Sequence, residues 1–293
     1  MVPLLLIIGR HGEPYRPPLM TLEGLPRTPM AGMLKALWQY RGFVLSSIRN
    51  EFSSRFARSK LGGFWMIINP LLQVIIFALV LSNVLAAKLP GIDNPHAYAL
   101  YLMAGTLAWG LFSETISRCL NLFVEQGGVM KKIYFPRITL PTILVGSTLL
   151  NNALLFVSIL IIFGALGHAP TLQVLWVPLL TLITVTMALG IGLILGIFNV
   201  FLRDIAQIVP VLLQILFWFT PIVYPIAAIP ESFRRFLDYN PIYPLIAAYQ
   251  NVLVYGLMPE VLPLLKIIAL SLILLFLGLH IFRRASPEIV DML

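Results

Sequence analysis

The chain has 293 residues, 59% of them hydrophobic and 11% charged, with a mean hydropathy of +0.92. A soluble domain carries roughly 25% charged residues, so this composition excludes a water-soluble globule. The formal net charge of +8 belongs to basic residues clustered beside apolar runs, which makes it a signal of membrane topology and leaves nucleic acid a remote partner. The one cysteine, Cys119, excludes an internal disulfide, and no Cys/His grouping has zinc or iron-sulfur spacing.

Taken in chain order, Val2 to Ile8 is too short to span a bilayer and lacks both a basic leader and a cleavage pattern, so no cleaved signal peptide is expected. Residues 1–32 read as a proline-rich cytoplasmic tail, in which Met30, like Met33 just beyond it, would serve as an initiator. Residues 33–60 are expected to form an amphipathic helix lying in the membrane interface. Leu34, Leu37, Trp38, Leu45, Ile48, Phe52 and Phe56 recur at helical spacing, opposite Lys35, Gln39, Ser46, Arg49, Asn50 and Ser53.

A hydrocarbon core about 30 Å thick needs about 20 apolar residues in helical form. The expected fold is all-α, with a six-span transmembrane domain over residues 61–282 and spans at 62–86, 98–124, 139–164, 172–202, 205–224 and 262–282. Residues 225–259 are apolar but broken by Pro225, Pro230, Pro241 and Pro244. They read as short re-entrant periplasmic helices between the fifth and sixth spans, because non-helical backbone at membrane depth survives only where protein or a wet cavity surrounds it. Residues 283–293 form a short cytoplasmic tail.

Lys and Arg outside the apolar runs fix an orientation. Lys35, Arg41, Arg49, Arg55, Arg58, Lys60, Lys131, Lys132, Arg137, Arg203, Arg283 and Arg284 fall on one side, against Lys88, Arg234 and Arg235 on the other. Both termini are therefore expected in the cytoplasm of a bacterium, with the chain in its inner membrane.

No phosphate-binding Gly-x-x-x-x-Gly-Lys-Ser/Thr loop, Gly-x-Ser-x-Gly elbow or His-Glu-x-x-His helix occurs, so no catalytic residue and no metal site is expected. His11, His96, His168 and His280 lie far apart. Within the second span Glu114 and Arg118 stand four apart on one helical face, where an unpaired charge would cost several kcal/mol. Mutual pairing is the first expectation, contact with a charged substrate or a proton relay the second. Gln207 and Gln214 share a face of the fifth span that ends at Phe217, Trp218, Phe219 and Tyr224. With Trp109 they are candidates for a sugar pathway, since rings stack on apolar sugar faces and amides bond hydroxyls; an aromatic belt at the outer interface is the equal alternative.

The cytoplasmic connection 125–138 holds Lys131, Lys132, Ile133, Tyr134, Phe135, Pro136 and Arg137 in the string KKIYFPRITLP. Pro136 ends any helix begun near Val129, and Met130, Ile133, Tyr134 and Phe135 would be exposed unless something covers them. A soluble partner docking there is expected ahead of simple anchoring in lipid headgroups.

Three segments together resemble the membrane subunits of type 2 ABC transporters that export cell-surface polysaccharides. They are SKLGGFWMIINPLLQ at 59–73, KKIYFPRITLP at 131–141 and FTPIVYPIAAIPESFRRFLDYNPIYPLIAAYQNVLVYG at 219–256, and the likeness covers about residues 33–282. The resemblance implies a homodimer bound to two copies of a separate nucleotide-binding ATPase, with ATP and Mg on that partner and no cofactor in this chain. It implies that Lys131 to Arg137 form the ATPase-coupling loop. The implied substrate is a polyprenyl-diphosphate-linked polysaccharide, O-antigen ahead of capsule or teichoic acid. It would enter a lateral gate near Asn69 and Gln73, with Arg55, Arg58 and Lys60 able to hold the diphosphate or merely obeying the charge bias. The rival classes are a polymerase or glycosyltransferase acting on lipid-linked sugars, which would show clusters of Asp or Arg in a large loop, and an ion-coupled flippase, which would need several charges within spans.

Overall fold

The computed structural model describes residues 30–56, 65, 68, 72, 96–132, 135–237 and 239–292. Among these residues the regular structure is helical. The expected N-terminal helix is two helices, α1 (Met30–Gln39) and α2 (Arg41–Phe56), broken at Tyr40. A 36-residue helix, α3 (Ala97–Lys132), follows, then α4 (Thr139–Ala165). A 3-10 turn at Leu172–Trp176 leads into α5 (Val177–Phe201), which has Pro178 in its first turn, where the missing N–H costs nothing. Next come α6 (Ile205–Phe219), the short helices α7 (Glu231–Leu237) and α8 (Tyr243–Gln250), and the terminal α9 (Val261–Met292).

The six-span expectation is corrected here. Among the described residues three helices are long and apolar enough to cross a membrane: Thr139–Ala165, Leu172–Phe201 with its 3-10 lead, and Val261–Ser286. At 1.5 Å per residue each reaches roughly 40 Å, ample for the hydrocarbon core. A fourth, Ile205–Phe219, is apolar but has 15 residues and reaches only roughly 22 Å. It stops because Pro221 disfavours the helical conformation at Thr220, whose φ −107° and ψ 133° are extended. The expected second span is helical throughout within α3, but Glu114, Arg118, Glu125, Lys131 and Lys132 on the same helix lower its apolarity. The expected first span, 62–86, lies outside the described residues except Trp65, Ile68 and Leu72, which are helical. The chain is thus a multi-pass, all-α membrane protein.

At the centre stand α3, α5 and α9, with α5 packed along both of the others. Small residues bring the axes together. A Cβ at Gly190 of α5 would lie 2.5 Å from the backbone carbon of Leu274 on α9, and one at Gly196 would lie 2.3 Å from the carbonyl oxygen of Cys119 on α3. Lipid tails offer no hydrophobic drive toward helix pairing, so such close contact and the dispersion it brings hold the helices together. The upper half of α3 is the heart of the core: Leu100, Leu102, Ala104, Leu107 and Ala108 are fully buried against α5 and α8.

Residues 225–259 fold as α7, α8 and a π-helical turn, Asn251–Tyr255, closed by Gly256 in the left-handed region at φ 64°. Leu245, Ile246, Ala248, Tyr249 and Gln250 of α8 are buried, the helix lying against α3. On the opposite side of the molecule, α2 packs along α4, burying Val44. The expectation of one amphipathic helix is corrected too: α2 has no distinct apolar stripe and meets protein along α4, while Trp38 of α1 and Leu45 of α2 remain exposed.

Candidate functional site

The connection from α3 to α4 is short because α3 stays helical to Lys132. Lys131 is exposed at its end; Ile133 and Tyr134 lie outside the described residues, and of Lys132 only the helical backbone is described. Phe135, Pro136 and Arg137 are half-buried, and each is tied down. The Phe135 ring is tilted against Phe43 of α2 with centroids 6.1 Å apart. The Pro136 carbonyl accepts from both the N–H (2.9 Å) and the hydroxyl (2.8 Å) of Thr139, closing the first turn of α4. The Arg137 guanidinium donates to the Ser286 hydroxyl of α9 at 2.8 Å. Beneath the loop, Phe135 and Ile138 rest on a second apolar cluster that includes Phe123, Met130, Ile197, Phe282 and Ile289, with Phe123 stacked on Phe282 at 5.5 Å. A push on this connection therefore reaches α2, α4 and α9 at once.

One helical stretch away on α3, Glu114 and Arg118 lie 3.7 Å apart. The structure adds two residues to them. Arg118 also pairs with Glu51 of α2, and the Asn151 amide of α4 donates to Glu114 at 3.2 Å. Nothing in the spacing of the sequence announces Glu51, which is 67 positions from its partner. Its only signal is an acid on a helix otherwise rich in base.

The aromatic candidates gather where α3 meets α6. Trp109 lies 5.6 Å from Phe217, which in turn is 5.5 Å from Trp218, and the Tyr224 hydroxyl donates to the Trp218 carbonyl. Phe217 is buried, whereas Trp218 is half-exposed. Gln207 and Gln214 are not part of this cluster. They stand on the exposed side of α6, interleaved with Ile208, Val211, Leu212 and Ile215. Asn69, Gln73, Arg58 and Lys60 lie outside the described residues, and Arg55 falls on the last turn of α2.

In the irregular backbone at 221–224 the carbonyls of Pro221, Val223 and Tyr224 accept from side chains. Tyr98 donates to the Val223 carbonyl, Tyr101 to those of Pro221 (3.0 Å) and Tyr224 (3.3 Å), and the Gln250 amide to that of Pro221 (3.2 Å). Asn240 donates to the Thr220 hydroxyl at 2.9 Å. The Thr220 carbonyl accepts from the Ile222 N–H at 2.7 Å, and donors of this kind let a proline-broken segment survive beside apolar helices. Of the residues responsible, Asn240 and Gln250 lie in the segment 219–256 that carries the family resemblance, whereas nothing in the sequence marks Tyr98 and Tyr101 for this task.

Among the described residues no group of three or more His, Cys, Asp or Glu is placed to hold a metal ion. The arrangement suits mechanical work: a braced loop at one end, a charged junction behind it, and an aromatic cluster with a capped break at the other.

Comparison with known proteins agrees with that character. The chain is 30% identical over 264 residues to the O-antigen export system permease protein RfbA of Myxococcus xanthus, covering 89% of this chain and 99% of that one. It is 28% identical over 248 residues to the protein of the same name from Klebsiella pneumoniae, covering 83% and 92%. To the polysialic acid transport protein KpsM of Escherichia coli it is 23% identical over 243 residues, covering 82% and 92%. The family model of the ABC-2 type transporter matches residues 43–254, and the chain belongs to that family as a membrane permease of the polysaccharide-export kind.

Proposed function

We propose that this permease moves a polyprenyl-diphosphate-linked polysaccharide of the O-antigen class from the cytoplasmic to the periplasmic side of a bacterial inner membrane. It works as a homodimer, driven by two copies of a separate ATPase subunit that carries ATP and Mg. The observation that carries the reading is the connection Lys131–Arg137. It presents an exposed lysine while its far end is braced on three helices through Phe43, Thr139 and Ser286. A flexible loop would absorb a push from a docked partner, whereas this one passes it into the bundle.

The end of the molecule that holds this loop gathers base from three separate elements: Arg41 and Arg49 on α2, Lys131 and Arg137 at the connection, and Arg283 and Arg284 on α9. That concentration supports a cytoplasmic location for it. The similarity to export permeases for O-antigen over most of both chains supports the substrate class. The exposed Trp218 beside buried Phe217 and half-buried Trp109 suits a path for a chain of sugars, whose apolar faces stack on rings.

The test is reconstitution. Purified together with its proposed ATPase subunit, the chain should form a stable complex whose ATP hydrolysis moves lipid-linked glycan across a proteoliposome membrane. Glycan transport by the chain without that ATPase would overturn the reading.

A further inference from the structure

The N-terminal helices turn one side to the bundle and the other away from it. On the inner side Phe43 meets Phe135, Val44 is buried, and Ile48 sits over Gly146 of α4. A Cβ at Gly146 would stand 2.2 Å from Ile48 Cδ1, so the absent side chain is the notch that seats Ile48. Glu51, the one acid of residues 30–56, is also on the inner side, against Arg118. The outer side is different in kind. Lys35, Trp38, Arg41, Leu45 and Arg49 are all exposed, Trp38 at 72% and Leu45 at 65%. They follow one another at steps of three or four residues, so each is one helical turn from the next. Base alternates with apolar surface along this side, and no carboxylate of either helix shares it. Trp38 and Arg41 hold each other: the guanidinium carbon lies 4.8 Å from the ring centroid, and Nη1 donates to the Trp38 carbonyl at 3.1 Å. That bond uses one of the five donors of the guanidinium.

The seat of Ile48 fixes the level of this surface. Gly146 lies about 10 Å along α4 from Thr139, and α4 is roughly 40 Å long against a hydrocarbon core about 30 Å thick. α2 therefore runs beside the end of a membrane span, where hydrocarbon gives way to headgroups. Tryptophan belongs at that level, whereas a cation there needs a counter-charge. We infer that the outer side of α1 and α2 is a docking face for anionic phospholipids, in the leaflet on the side of the Lys131–Arg137 connection. Lys35, Arg41 and Arg49 take the phosphates, and Trp38 and Leu45 sink among the first methylenes of the chains. Arginine suits the task because its planar fork meets two phosphate oxygens at once. Phospholipid fits better than one molecule of a rarer phosphate, because the charges are strung from position 35 to position 49 over two helices and match a row of headgroups. Phe43 bears on Phe135 from the same helix, so the lipid face and the connection are two sides of one element.

The test reads which lipid stands beside Trp38. The full chain is placed in phosphatidylcholine nanodiscs containing increasing shares of phosphatidylglycerol, or of phosphatidylcholine, brominated on the acyl chain near the headgroup. Bromine quenches indole emission on contact, and the signal of Trp38 is the difference between the unaltered chain and Trp38→Phe. A basic residue at an anionic surface is worth about fivefold in lipid affinity. The share of brominated phosphatidylglycerol that halves the Trp38 signal should therefore be at least about fivefold lower than that of brominated phosphatidylcholine. High salt should narrow the gap. The combined Lys35→Gln, Arg41→Gln and Arg49→Gln variant should bring the two lipids within about twofold of each other. Arg49→Gln alone should lose part of the preference, and it serves if the triple variant fails to insert. Equal quenching by both lipids in the unaltered chain would overturn the inference, as would a triple variant that keeps the full preference. Shielding of Trp38 from both lipids when the ATPase subunit binds would give the face to a protein partner and overturn it too. The readout needs no transport, so its failure and the failure of the proposed function are separate results.

Discussion

Gly190→Ala is the sharpest test of how the three central helices are held. The new methyl would stand 2.5 Å from the Leu274 carbonyl carbon, 2.6 Å from the Leu275 nitrogen and 2.8 Å from the Leu274 oxygen, all backbone atoms that cannot swing aside. Ordinary contact between carbon atoms is about 3.5–4.0 Å, so α5 and α9 must part by roughly 1 Å. A gap of that size forfeits a quarter to a half of each contact along the shared face. Overpacking typically costs about 1–3 kcal/mol, and the rigid neighbours put this case at the upper end. At roughly 2–4 °C per kcal/mol for a chain of this order of size, the melting temperature in detergent should fall by roughly 6–12 °C. The control is Gly128→Ala on α3, where an added Cβ meets nothing within 4 Å. It should be neutral or stabilising by up to about 1 kcal/mol through helix propensity. Thermal unfolding followed by size-exclusion of the detergent-solubilised protein gives both values. Melting of Gly190→Ala within about 2 °C of the unaltered chain would refute the close-packing argument.

Replacing Tyr134 and Phe135 together with alanine should leave membrane insertion intact while ATP hydrolysis by the complex no longer moves glycan, cutting surface display at least about tenfold; unchanged display would count against the coupling loop. The Pro221 carbonyl accepts from both Tyr101 and Gln250. Either Tyr101→Phe or Gln250→Ala alone should therefore cost about 1 kcal/mol, and the pair distinctly more than the sum, because only the pair leaves that buried oxygen unsatisfied. A double-mutant cycle on unfolding free energies reads the coupling directly, and simple additivity would show that the two donors act independently. Trp218→Ala should change the melting temperature by less than about 2 °C, the side chain being half-exposed, yet lower the transport rate in proteoliposomes several-fold if sugars stack there. An unchanged rate would make Trp218 a lipid-facing anchor.

Much of this protein was legible before any coordinates. Its apolar composition and low charge could be satisfied only by a membrane. The 20-residue arithmetic found Thr139–Ala165, Leu172–Phe201 and Val261–Ser286, because a helix that crosses lipid must be apolar along its whole length, and that is a local property of the chain. The pairing partner of Arg118 one turn away was equally local, a matter of 3.6 residues per turn.

What local pattern could not say is which apolar helix faces lipid and which faces protein. The same hydrophobic stretch that suggested a second span is part of a helix buried at the centre of the bundle, charged in its lower half, and the stretch read as a fifth span halts after 15 residues at Thr220. Glu51 meeting Arg118, Ile48 seated on Gly146, and Tyr101 and Gln250 converging on one carbonyl join positions dozens of residues apart. Such meetings depend on how far apart the helix axes lie and how they are rotated. Those quantities are set by the sum of many small packing contacts across the whole bundle, and so belong to the tertiary structure and to no single segment of the chain.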